Sequence, residues 1–152
     1  MLHRSGRVVA GLGAAAIVLA GVHATGGFHA RPTIAVGSCA PALDAPVPGV
    51  WIFARADCGH CTAHLALLGN AMHAYPDSLR LQMARRIVVV GDVQPPCDGV
   101  RVLPDSLRRA LHVTWTPETW FVDAAGRVCK RWLGARGARA WRNALAETAA
   151  FP

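Results

Sequence analysis

Apolar positions along the chain fall into two periods, and their alternation predicts the elements. Residues 51–55, WIFAR, open on an unbroken apolar run, the pattern of a strand covered on both faces of a sheet. The run breaks at Asp57. From Cys61 onward, Leu65, Leu68, Met72 and Tyr75 recur at spacings of three and four, which places them with Cys61 on one face of a helix. Pro76-Asp77-Ser78 punctuates the chain, and a short helical piece runs from there to Arg85. Residues 86–92, RIVVVGD, form a second buried strand, and residues 91–104, GDVQPPCDGVRVLP, read as a long loop of the kind that borders sites. Asp105 caps a short helix through His112. Strands at 118–123 and 127–133 are joined by Ala124-Ala125-Gly126, a connection short enough to require an antiparallel hairpin. A last helix over 138–149 puts Trp141, Leu145 and Thr148 on one face. The order strand, helix, strand, helix, hairpin, helix predicts an α/β fold with a central mixed sheet flanked by helices.

The first 47 residues follow a different pattern. Residues 1–7 are short and basic, residues 8–22 are uncharged and apolar, and Val22-His23-Ala24 offers small residues where a signal peptidase reads. The apolar run is shorter than the roughly 20 residues of a comfortable membrane span, which favours a cleaved signal peptide over a retained membrane anchor across residues 1–24. Residues 25–47 are rich in Gly, Pro and Ala and read as a linker, with at most one short strand at 33–36. The folded domain is then 48–152. Both versions of the N-terminal segment place it outside the cytoplasm, in a periplasmic or other extracytoplasmic compartment.

Composition narrows the classes further. The net charge of +7 comes from 16 basic and 9 acidic residues, yet the arginines are scattered singly or in pairs, with no basic run and no nucleic-acid motif. They read as a solvated surface. Five cysteines in so short a chain suit an oxidising compartment. Cys39, Cys97 and Cys129 lie outside the central pair, and Cys39 with Cys97 is a candidate structural disulfide. Cys129, in a strand-like segment, reads as a small core residue.

The chemistry centres on Cys58-Gly59-His60-Cys61. Cys58 sits at the start of the predicted helix, where unpaired backbone N–H groups and the positive end of the macrodipole stabilise an anion. His60, between the sulfurs, adds positive charge when protonated, and Asp57 is placed to act as the helix N-cap. Cys58 therefore reads as the attacking nucleophile and Cys61 as the shielded thiol that resolves a mixed disulfide. Zinc is a competing use for the pair, since Cys58, Cys61 and His64 offer three ligands on one turn. A second ligand cluster of the usual spacing is missing from the sequence. Haem attachment needs His directly after the second cysteine, where Thr62 stands.

With Cys-Gly-His-Cys opening a helix after a buried strand, and Trp115-Thr116-Pro117 before another strand some 55 residues on, the domain resembles the thioredoxin-like superfamily. Within it, the motifs are similar to exported thiol-disulfide oxidoreductases of the protein disulfide isomerase and periplasmic disulfide-exchange type. The resemblance implies that Pro117 is cis and lies beside the redox pair, and that Thr116 presents backbone groups to an extended substrate. It also implies protein thiol and disulfide substrates and a redox partner protein that recycles the pair, with no metal or organic cofactor. His60 favours oxidase or isomerase chemistry over strong reduction. Two departures stand out. The buried carboxylate that thioredoxin carries six residues before its first cysteine is Ile52 here, and 25–47 is too short for the dimerisation domain of periplasmic isomerases. Two alternatives accompany this reading: a non-catalytic thioredoxin-fold assembly or chaperone module, and an exported metal carrier using Cys58, Cys61 and His64.

Overall fold

The structure is a computed structural model and describes residues 36–37 and 48–149. The expected signal or anchor segment, Cys39, and the linker apart from Val36 and Gly37 lie outside those residues. Val36, the end of the short strand expected at 33–36, sits in a turn.

The described elements run β1 (Gly49–Phe53), α1 (Gly59–His73), α2 (Asp77–Ala84), β2 (Ile87–Val90), β3 (Arg101–Leu103), α3 (Asp105–Ala110), β4 (Glu118–Val122), β5 (Val128–Leu133) and α4 (Ala138–Ala149). They build one five-stranded sheet in the order β3-β2-β1-β4-β5. β1, β2 and β3 are parallel, β4 runs antiparallel to β1, and β5 returns antiparallel to β4. This is the expected mixed sheet with one strand more than the sequence pattern predicts. The addition is β3, taken from the segment 91–104 that reads as loop. Three residues are too few to display a period, and Val102 is exposed at this edge of the sheet.

Alternation along the strands divides the core in two. Val50, Ile52 and Ala54 face α1, α2 and α4, where they meet Leu65, Leu68, Met72, Met83, Trp141 and Leu145. Trp51 and Phe53 face the other way, against Val88, Val90, Trp120, Val122 and Val113. β1 is thus apolar at every position because it is central and covered twice. Phe53 and Trp120 hold their rings 4.4 Å apart at 58°, a tilted contact across the β1–β4 pair.

Two glycines permit close backbone approaches around the start of α1 and the loop before β3. Gly91, just after β2, has φ +147°, and a Cβ there would stand 2.1 Å from the Ala54 carbonyl oxygen. The backbone leaving β1 toward Cys58 is packed against that hydrogen atom. Gly69 in α1 lets the helix meet the loop before β3, because a Cβ would come within 2.8 Å of the Pro96 carbonyl oxygen.

Candidate active site

Cys58 and Cys61 are joined by a disulfide, with Cα atoms 5.2 Å apart. Cys58 is itself the N-cap of α1: its backbone is extended, and its sulfur accepts a hydrogen bond from the Cys61 N–H at 3.1 Å. Asp57, expected in the capping role, is instead an exposed residue bonded to Arg55, with Arg55 Nε 2.9 Å from its Oδ1. One residue separates the two readings. The helix begins at Gly59, so the capping position falls on the cysteine. The consequence is electrostatic: the Cys61 N–H, which also donates to the Cys58 carbonyl at 2.9 Å, points at the Cys58 sulfur, and the neighbouring carboxylate is offset by its hydrogen bond from the Arg55 guanidinium. That hydrogen bond also holds the Asp57 carboxyl below its usual range.

The two sulfurs differ in access. Cys58 is partly buried, whereas Cys61 is fully buried and begins the stripe that continues through Leu65, Leu68 and Met72. Ile52 belongs to the same apolar cluster as Cys61. His60 is exposed on the first turn of α1. Facing the pair is the segment before β4. The Thr116–Pro117 bond is cis, Pro117 is buried, and the Thr116 carbonyl oxygen lies 3.7 Å from Cys58 Sγ. Trp115, immediately before, is 71% exposed. A cleft of about 710 Å³ lies between α1 and the segment after β2, lined by Ala56, Thr62, Leu65, Ala66, Val93 and Pro95.

His64 lies with this machinery but not at the sulfurs. It is fully buried, and the Arg136 backbone N–H donates to its Nδ1 at 3.1 Å. The ring proton is therefore on Nε2, which donates to Thr119 Oγ1 at 3.1 Å. Both ring nitrogens are engaged, so the proposed set Cys58, Cys61 and His64 is not assembled as metal ligands. Among the described residues no group of three or more His, Cys, Asp and Glu side chains is placed to hold a metal ion.

Burial pushes the His64 pKa down from 6.5 to about 4. Between those values the unfolded chain binds the proton that the folded one refuses, so stability rises with pH through that window. It is fully present above about pH 6.5 and lost as pH falls toward 4, to a total of about 3 kcal/mol. Urea unfolding of the wild type and of His64→Gln from pH 4 to 7 should show this component in the wild type alone. Parallel stability curves would remove His64 from the acid sensitivity.

Among the described residues Cys97 and Cys129 are free thiols, and Cys39, the candidate disulfide partner of Cys97, lies outside them. Cys129 is exposed on the edge strand β5 rather than in the core: it sits at a β-bulge, between Val128, which pairs with Val122, and Lys130, which pairs with Phe121. Cys97 packs against the helical core cluster, with its sulfur 3.6 Å from Met72 Sδ. A residue that sequence pattern does not single out is Glu118. It is fully buried directly after Pro117, and its Oε1 accepts from both Trp120 Nε1 and Arg131 Nε. Only its place beside the proline in the sequence could have drawn notice to it.

This architecture is the thioredoxin-like fold. No family model matches the sequence, and no curated protein matches it significantly. Among solved structures the chain is similar to one named as a thiol:disulfide interchange protein, DsbE, from Chlorobium tepidum, at 18% identity and a TM-score of 0.55, over 76% of this chain and 98% of that one. It is also similar to the thioredoxin domain of a thiol-disulfide oxidoreductase from Bacteroides vulgatus, at 15% identity and a TM-score of 0.53, over 76% of this chain and 99% of that one. The likeness lies in the fold alone, a mixed sheet flanked by helices.

Proposed function

We propose that the protein is an exported thiol-disulfide oxidoreductase that exchanges disulfides with other proteins through Cys58 and Cys61. The observation that carries this is the disulfide at the N-terminus of α1, with the outer sulfur beside the Thr116 carbonyl and the inner one sealed in the core. In the reduced form, the Cys58 thiolate attacks one sulfur of a substrate disulfide and releases the other as a thiolate. Cys61 then loses its proton and attacks Cys58 Sγ, which frees the second substrate sulfur. The substrate gains two electrons and the pair loses them. Run in reverse, a substrate dithiol is oxidised and the pair reduced.

The site residues take distinct parts. Cys58 exchanges, and Cys61 resolves. His60, exposed beside the pair, favours the thiolate form and with it oxidase or isomerase chemistry. Pro117 shapes the groove wall, and Thr116 offers its backbone to an extended segment of substrate. The N-terminal segment 1–24 exports the domain or tethers it to a membrane, and a redox partner protein returns the pair to its working state.

The test is the reduction potential of the Cys58/Cys61 pair in glutathione buffers, with Cys39, Cys97 and Cys129 replaced by serine. A value of about −120 to −180 mV places the protein with oxidases and isomerases, and one near about −270 mV with reductants of the thioredoxin kind. The absence of any reversible dithiol/disulfide equilibrium would reject thiol-disulfide exchange itself.

A further inference from the structure

We infer that His64 is a positioning residue for protein substrates: with Thr119 it forms a clasp between the helix that carries the cysteine pair and the strand that follows Thr116 and Pro117. The inference rests on the exchange reading above and assigns a part to a residue which that mechanism does not use.

His64 lies one turn beyond Cys61 on α1, and Thr119 lies two residues beyond Pro117 on β4. Both are fully buried, and they meet through the Nε2–H···Oγ1 hydrogen bond at 3.1 Å. The Arg136 N–H, from the segment between β5 and α4, fixes the tautomer that makes His64 the donor. On α4, the Trp141 ring holds the imidazole at a centroid distance of 4.8 Å. Apolar side chains could fill this volume at no desolvation cost, whereas a buried imidazole and hydroxyl are tolerated only when bonded to each other. What the polar pair adds is direction. Packing contacts tolerate a sliding of helix against strand, while a hydrogen bond of this length and alignment does not. Nearer the surface, the N-cap of the same helix and the segment leading into the same strand present the two groups that a protein substrate must reach together, Cys58 Sγ and the Thr116 carbonyl, 3.7 Å apart.

The clasp therefore acts on one class of substrate. A small disulfide such as glutathione disulfide needs only the Cys58 sulfur. An extended polypeptide must also align its backbone on Thr116, so loosening the spacing weakens its binding without altering the sulfur.

The experiment compares insulin with glutathione disulfide as substrates of the full-length protein, with a dithiol re-reducing the Cys58/Cys61 pair after each turnover and its uncatalysed rate subtracted. His64→Leu and Thr119→Val are each expected to raise KM for insulin about tenfold, the equivalent of one lost hydrogen bond. The insulin kcat and the glutathione rate are expected to stay within about twofold, because the reacting sulfur is untouched. The double variant should be no worse than either single one, and His64→Gln, which can accept from Arg136 and donate to Thr119, should restore KM. Thr119→Val keeps the shape of a strand residue and carries the test if His64→Leu does not fold. An equal fall with both substrates, an unchanged KM in Thr119→Val, or additive losses in the double variant would overturn the clasp. A wild-type protein that reacts with neither substrate would instead overturn the exchange reading, and the clasp with it.

Discussion

Cys58→Ala is expected to reduce disulfide exchange to the background rate, and Cys61→Ala is expected to accumulate substrate as a stable mixed disulfide. The two outcomes differ because the sulfurs do. Cys58 is the one that reaches the surface, with its sulfur 3.7 Å from the Thr116 carbonyl oxygen, and it receives the hydrogen bond from the first turn of α1. No substrate sulfur can reach Cys61 first, since that residue is fully buried under the turn. Removing Cys58 therefore leaves no nucleophile at the groove, whereas removing Cys61 leaves the first attack intact and deletes the second. Insulin turbidity in the presence of a recycling dithiol reports the first variant, and non-reducing electrophoresis after mixing with an oxidised protein reports the second. Retained turnover in Cys58→Ala, or a Cys61→Ala variant that forms no adduct, would contradict the order of attack.

The parts of the site that were legible in the sequence are those fixed by local periodicity. Cys61, Leu65, Leu68 and Met72 share a helical stripe whatever packs against it, and that stripe already ranks the two cysteines by burial. The parts that were not legible depend on position to within one residue, or on the far side of the sheet. Whether Asp57 or Cys58 caps the helix turns on where the first helical residue falls, and composition does not decide it when both side chains can accept a hydrogen bond. β3 is too short to carry a pattern, and its parallel pairing with β2 is set by tertiary contact alone. Cys129 reads as core because a strand's interior and exterior positions are told apart only by register, and the β-bulge that leaves Cys129 without a partner on β4 leaves no mark in the sequence pattern. His64 was visible as a histidine one turn after the pair. Its partner Thr119 is 55 residues away, so its use as a clasp rather than a ligand could come only from the folded chain.

Arg131→Met is expected to be the most destabilising single change near the site, at about 3–5 kcal/mol, because it strands a buried carboxylate. Glu118 has no exposed surface, and its hydrogen bonds converge on one oxygen from Trp120 on its own strand and Arg131 on the next. The guanidinium is the positive charge that makes this burial tolerable, and a methionine of similar length replaces its bulk but not its charge. Glu118→Gln in the same background should recover about half or more of the loss, since a neutral amide can still accept from Trp120 and carries no charge to desolvate. Urea unfolding of the wild type, Arg131→Met and Glu118→Gln/Arg131→Met at pH 7 gives all three values. A loss below about 1 kcal/mol in the single variant would mean that the carboxylate finds water or another partner once the arginine is gone. The pair ties β4 to β5 at the residue that follows Pro117, where Gly134 N–H also donates to the Pro117 carbonyl at 2.9 Å. Losing it should loosen the substrate-facing edge from the sheet side, as losing His64 loosens it from the helix side. Arg131→Met at a temperature where it remains folded should therefore show the same selective rise in insulin KM.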